Sequence, residues 1–521
     1  MNNRTTKTWQ QYEEGKKYKQ QLGLYENIRI NERFYRGDQW YGVIESDLPK
    51  PVFNVIRRIV DYLVSSVGSG KINVTFSDEC LPYVGNSLTQ KAIREGIQAL
   101  SANFSYRWER SKMDKLLFRL LCDAAITGDG VLYSYWNSDM KTGQVYLGDI
   151  VTEVIENSNL FAADMNTADI QSQEYIILSG RQSVASLKQE ARNYSADKAN
   201  IQLISSDKDS INVLSDMSAY ELEGDDEEKA TYLIKFWREE GIVCFEKSTE
   251  GCVIRRGEMG THLYPVAYFN WFPTKNSFHG TSPINGLIAN QKYINKAFAM
   301  IMKHMTDTAF SKVIYDKSKI PEWSNEVGEA IASLGGGNVS DAVSVVGVGK
   351  MQDNYLELIE MAASMTKELM GATDVALGNT TPTNTSAILA LRQATDIPLK
   401  SIRTAYYQCI EDMANIWADM ICAYYPNERL LPVPENGGLV AKQVDFKLLR
   451  QALLSAKVEV SDADNYSGIT TQNLLDKLLD GGYITAKQYV EFLPNGALSK
   501  RKEMLSSLDG NSTVEEKIDD K

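Results

Sequence analysis

The sequence predicts an α+β protein that is mostly helical. Apolar residues recur at three- and four-residue steps in two early segments, the period changes to two between about residues 131 and 270, and helical spacing then dominates to about residue 425. No repeat of solenoid period runs through the chain.

Taken in order, the first segment to about Asp38 is polar and helix-rich, and it ends in the aromatic cluster Phe34, Tyr35, Trp40 and Tyr41. Val52, Ile56, Ile59, Val60, Leu63 and Val67 form one helical stripe, stopped by Gly68 and Gly70. A strand at Ile72 to Phe76 precedes polar helical sequence reaching about Asp129, whose last part repeats Met113, Leu116, Leu117, Leu120, Leu121 and Ala124. The runs VLYSYW, QVYLGD, VTEVIE, EYIILSG, TYLIKFW, IVCFEK, CVIRR and YPVAYFN then read as strands. Residues 194 to 229, rich in Ser, Asp, Asn and Glu, interrupt them as a surface insertion.

Ser282-Pro283 supplies an N-cap and a first-turn proline. Ile284, Leu287, Ile288, Ile294, Phe298, Ile301 and Met305 share the face of the helix that follows, to about Ala309. Residues 310–350 read as a small insert: a strand at Lys312–Tyr315, a helix at Trp323–Leu334, three glycines, and a strand at Ala342–Val348. Helical pattern resumes from Asn354 to about Gly371. An uncharged loop, Gly378, Asn379, Thr380, Thr381, Pro382, Thr383, Asn384 and Thr385, separates it from a long helix over about Ser386–Tyr425, where Pro398 predicts a kink. On the residues alone that loop reads first as a solvent-exposed linker.

Two magnitudes point beyond a single globule. Forty helical residues extend roughly 60 Å, about twice the diameter of a small domain. An insert of about forty residues rarely sustains its own core without disulfides, metal or association.

Composition and motifs exclude several classes. Lys and Arg number 55 against 68 acids, a formal charge of −13, which disfavours a conventional DNA-binding surface. The six cysteines lack CxxC spacing, and His262, His279 and His304 have no partner at metal-ligand spacing, so neither a disulfide framework nor a metal site is expected. Both Gly-Lys sequences fail the phosphate-loop pattern, because Ser65 and Ser344 stand where its first glycine belongs and Ile72 and Met351 where its Ser or Thr belongs. DADNY at 462–466 starts like a calcium loop but lacks the required glycine and final glutamate. No cofactor or catalytic residue is expected, and with no apolar run of membrane-spanning length the chain reads as cytosolic.

The order of parts resembles the portal proteins of tailed bacteriophages. The resemblance runs through FYRGDQWYG (34–42), VFNVIRRIVDYLV (52–64), DAAITGDGVLYSYW (123–136), PVAYFNWFPTKNSFHGTSPINGLIANQKYIN (265–295) and ALGNTTPTNTSAILALRQATDIPLKSIRTAYYQ (376–408). It implies a wing over 1–282, a two-helix stem at 283–309 and 351–371, a clip at 310–350, a tunnel loop at 372–385, a long kinked helix of the wing at 386–425 and a helical crown at 426–521. Gly378 to Thr385 would reach the DNA, and Asp353, Glu357, Glu360 and Lys367 would face the channel. The tunnel loop has no Lys or Arg, so any DNA contact there falls to hydroxyl, amide and backbone groups.

The resemblance further implies a homododecameric ring at one capsid vertex, passing double-stranded DNA during packaging and ejection. Its partners would be the terminase large subunit, scaffolding and major capsid proteins, and later head–tail connector proteins, with no membrane involved. It would reside in the virion and, during assembly, in the host cytoplasm. Another ring-forming connector or adaptor, and an enzyme acting on nucleic acid through residues 131–270, are the alternatives.

Overall fold

The computed structural model describes residues 6–43, 47–77, 87–194, 196, 198–207, 228–309, 313–324, 331–335, 338–345, 354–372, 397–435, 438–451, 454–461, 474–493 and 504. Helices α1 (Lys7–Gln21), α2 (Leu24–Arg36) and α3 (Val55–Val67) lead to strand β1 (Lys71–Ser77), then α4 (Ser87–Arg110) and α5 (Met113–Thr127). The β-rich stretch holds β2 (Asp129–Asn137), β3 (Asp149–Ile155), β4 (Leu160–Ala162), β5 (Tyr175–Ser183), α6 (Val184–Asn193), α7 (Lys198–Ile201), β6 (Lys229–Glu239), β7 (Ile242–Ser248), β8 (Val253–Glu258) and β9 (Val266–Asn270). Then come α8 (Pro283–Ala309), β10 (Val313–Tyr315), β11 (Val343–Val345), α9 (Asn354–Glu368) and α10 (Lys400–Tyr424). The last elements are β12 (Leu430–Glu435), β13 (Gly438–Gln443), α11 (Phe446–Leu449), β14 (Ser455–Ser461) and α12 (Ala486–Phe492).

Local chemistry sets several boundaries. Gly23, at φ 66°, parts α1 from α2 in a conformation that costs glycine little. Asn54 Oδ1 accepts the Arg57 amide at 3.0 Å, so α3 starts at Val55 and leaves Val52 outside the helix. QVYLGD is a correction: residues 144–148 form the loop between β2 and β3, and Val145 is 94% exposed. Alternation there has no neighbouring strand to pair with. The helix expected at 323–334 is absent from its described ends, 323–324 and 331–334, which are irregular.

Two compact units divide the chain, one of residues 1–66 and 111–425, the other of residues 67–110 and 426–521. The expected wing, 1–282, therefore loses 67–110 to the second unit.

In the first unit, antiparallel sheets β3-β2-β9 and β4-β5-β6-β7-β8 share a core that includes Val131, Leu160, Ile176, Phe236, Tyr264 and Phe278. Helix α10 packs on β9 and β2. Its buried Trp417 donates from Nε1 to Thr152 Oγ1 at 2.8 Å and Ser134 Oγ at 3.2 Å, which satisfies the indole inside an apolar contact. Cys244, in β7, and Cys252, just before β8, are buried thiols that form no disulfide.

In the second unit, β1 pairs antiparallel with β14, Lys71 opposite Ser461 and Ser77 opposite Ser455. Helix α4 packs on β1 and on β12 of the β12–β13 hairpin, and Asn103 Nδ2 donates to the Pro432 carbonyl at 2.8 Å. Gly96 lets α4 approach Leu449, whose side chain would lie 3.1 Å from a Cβ at that position. The helical character expected of 426–521 is corrected for its first part, since the described residues of 430–461 hold three strands and one four-residue helix.

Candidate functional site

The stem expected from the sequence is an antiparallel pair, α8 and α9, separated in sequence by the two-stranded ladder of β10 and β11, in which Val313 faces Val345. The end of the Met370 side chain reaches Gly286, Tyr293 lies beside Thr366 and Leu369, and Ile301 clusters with Ile359. The seam between the helices is thin: Ile294, Ile301 and Ile359 are buried, with Ala297, Phe298, Ala362 and Ala363 packed around them.

The N-terminal half of α8 is held by three polar devices. Ser282 Oγ accepts the Ile284 amide at 3.1 Å and donates to the Ala125 carbonyl at 2.6 Å, joining the start of α8 to the end of α5. About two turns later Gln291, fully buried, accepts the Val55 amide at 3.0 Å and the Ile56 amide at 3.3 Å, and donates to the Phe53 carbonyl at 2.7 Å. It thereby caps α3 from another helix. Asn295 continues the chain of bonds, donating to Gln39 Oε1 at 2.6 Å while Gln39 donates to the Phe34 carbonyl at 3.0 Å.

Beside the start of α8, Asp129 is a buried carboxylate that accepts four hydrogen bonds. Its donors are His279 Nδ1 (2.7 Å), Gly280 N (2.7 Å), Asn270 Nδ2 (2.9 Å) and Asn157 Nδ2 (3.1 Å). Accepting that many bonds is what makes a buried charge tolerable. Burial lowers the His279 pKa, partly opposed by the bond to Asp129, and because a carboxylate only accepts, Nδ1 carries the hydrogen of that bond. Lys19, also fully buried, donates to the carbonyls of Leu160 (2.6 Å), Asn157 (2.7 Å) and Ser158 (3.0 Å), and burial pulls its pKa down to about 7 against the pull of Asp129. An Asp–His pair resembles acid–base machinery, but every Asp129 bond runs inward to structure and His279 is only 4% exposed. Its place is at the joint between sheet and α8.

The sequence-predicted site residues divide as follows. Gly378 to Thr385 and Asp353 lie outside the described residues. At about 100° per residue, Glu360 and Lys367 share a flank of α9, roughly a quarter turn from the buried Ile359 and Thr366. Glu357 does not join them fully; it falls with Glu368 on the edge directly opposite the seam. Glu357, Glu360 and Glu368 are exposed and Lys367 is half-buried. Pro398 lies in a 3-10 turn, Ile397–Leu399, immediately before α10, and 386–396 lie outside the described residues.

Gln291, Asn295, Asp129 and His279 were not anticipated as a set. Their one sequence signal was Gln291 and Asn295 on the apolar face of α8, where amides need partners supplied by distant segments.

Residues 264–447 match the family model of phage P22-like portal proteins. Among solved structures, a chain of "Virion of native gene transfer agent (GTA) particle" is similar at 10% identity with a TM-score of 0.40, covering 90% of this chain and 93% of that one. No curated protein matches the chain. The matched segment takes in β9, the α8–α9 pair with its strand insert, α10 and the β12–β13 hairpin, and over these residues the chain is similar to the phage P22-like portal proteins.

Proposed function

We propose that this chain is a phage portal protein: a homododecameric ring at one capsid vertex, through which double-stranded DNA enters on packaging and leaves on ejection. In this reading the ring docks the terminase large subunit while DNA is pumped, meets scaffolding and major capsid proteins during assembly, and later binds head–tail connector proteins. The observation that carries the reading is the family match over 264–447, which spans the whole helix, insert, helix and long-helix series. Asp353, Glu357, Glu360 and Lys367 are the proposed channel-facing residues, of which Glu360 and Lys367 share one flank of α9. Gly378 to Thr385 form the proposed tunnel loop, and Pro398 the bend between that loop and α10.

The charge supports a sliding passage. Each chain carries a formal −13, and few cations on the proposed flank mean little phosphate neutralisation and little grip. The energy for pumping belongs to a separate motor, in keeping with the failure of both Gly-Lys sequences as phosphate loops.

The test is direct. Negative-stain electron microscopy with mass photometry should find a ring with a central hole, near 700 kDa for twelve copies of a 58.4 kDa chain. A compact dimer with nucleotide turnover would replace this reading by an enzymatic one.

A further inference from the structure

The α8–α9 pair is a two-helix layer whose outer edges carry opposite charge. On α8, Ile294 and Ile301 face α9, and Lys292, Lys296 and Lys303 fall about half a turn away, on the edge remote from α9, where Ala299 is buried and Lys292 Nζ lies 5.6 Å over the Phe34 ring of α2. On α9, Ile359 and Thr366 face inward, and Glu357 and Glu368 fall about half a turn away, on the other outer edge. Among the described residues, no ion pair within one chain engages Lys292, Lys296, Lys303, Glu357 or Glu368. Large apolar side chains flank the charges: Leu358, Met361, Met365 and Leu369 on α9, Tyr293 and Met300 on α8, each 47 to 68% exposed.

We propose that the acidic edge of α9 docks on the basic edge of α8 in a second copy of this chain, Glu357 meeting Lys303 and Glu368 meeting Lys292. The inference rests on the ring reading above and specifies its joint. A two-fold contact would set each edge against itself, Lys row on Lys row or Glu row on Glu row. A head-to-tail contact sets unlike rows together, and head-to-tail contacts are those that close into rings.

The register within one chain supplies the heights. Because Tyr293 lies beside Thr366 and Ile301 clusters with Ile359, Lys303 is near the height of Glu357 and Lys292 near that of Glu368. Copies related by pure rotation about an axis along the helices keep their heights. Both ion pairs, about 16 Å apart along the layer, then form at once. A filament rising even one helical turn per copy, about 5.4 Å, would break both. Lys296 lies between them, and the apolar flanks close beside the charges and exclude water, which makes the pairs worth more than exposed ones.

Charge reversal tests this on the full chain. K292E/K303E has two acidic edges and E357K/E368K two basic ones. Each alone should remain folded by circular dichroism yet raise the concentration needed for half-assembly at least about tenfold, read by mass photometry. Mixed in equal amounts they should recover rings in which the two variants alternate, shown by copurification through a tag on one of them. Recovery on mixing separates a lost joint from a damaged fold. Half-assembly of either variant within about twofold of wild type would overturn the joint and leave the ring reading standing, as would failure of the mixture to assemble beyond either variant alone. A wild-type chain that forms no ring, alone or with its shell proteins, would overturn the ring reading and the joint with it.

Discussion

Lys19 and Asp129 are two buried charges held by opposite means, the cation by three backbone carbonyls and the anion by four N–H donors. Removing the anion strands its donors without returning them to water. Asp129→Ala should therefore destabilise the first unit by about 3 kcal/mol or more, measured as a lower urea midpoint by tryptophan fluorescence; a loss under about 1 kcal/mol would mean that the network is dispensable. For Lys19 the sign follows from proton binding. The unfolded chain holds this proton up to its ordinary 10.5, whereas the folded chain releases it near 7. Between those values the unfolded state binds more protons, so stability rises with pH. Lys19→Met should flatten that rise between pH 7 and 10.5, and an unchanged slope would show that the proton is bound equally in both states.

Helix α8 shows which elements a sequence declares and which it does not. Its start at Ser282-Pro283 and its apolar stripe are local signals, and the helix forms over the expected 283–309. Gln291 is also visible in the sequence, but its task of accepting the Val55 and Ile56 amides depends on a segment 236 residues away. Pairing of β1 with β14 is hidden for the same reason: each strand has a two-residue period, and neither period names its partner. QVYLGD misled in the opposite sense, with the right period and no strand beside it. The candidate site was legible at the level of helices, while the half-turn separating Glu357 from the seam emerged only with the packing of α9. Gln291→Leu tests the cap. The orphaned amides of Val55 and Ile56 should cost about 1–3 kcal/mol, with faster hydrogen exchange localised to the first turn of α3. Gln291→Glu keeps an acceptor and should recover much of the protection; equal exchange in both variants would show that Gln291 serves packing alone.

At the scale of the whole molecule, the proposed ring poses the question of which part of it would meet DNA. If the charged edges of the α8–α9 layer meet between copies as proposed, the α9 flank of Glu360 and Lys367 and the loop Gly378 to Thr385 are left as the proposed lining of the passage. That loop contains no Lys or Arg, so in the proposed role its threonines and asparagines would supply hydrogen bonds that form and break as a duplex moves past. Replacing Gly378 to Thr385 with a Gly-Ser segment of equal length keeps the chain's reach and removes those groups. Rings should then form with normal mass, because the charged edges of α8 and α9 are untouched, while the yield of filled heads or their retention of DNA should fall several-fold. A nuclease-protection assay on heads assembled with the variant measures both quantities. Normal filling and normal retention would place DNA contact elsewhere on the wall, with Glu360 and Lys367 next to be substituted.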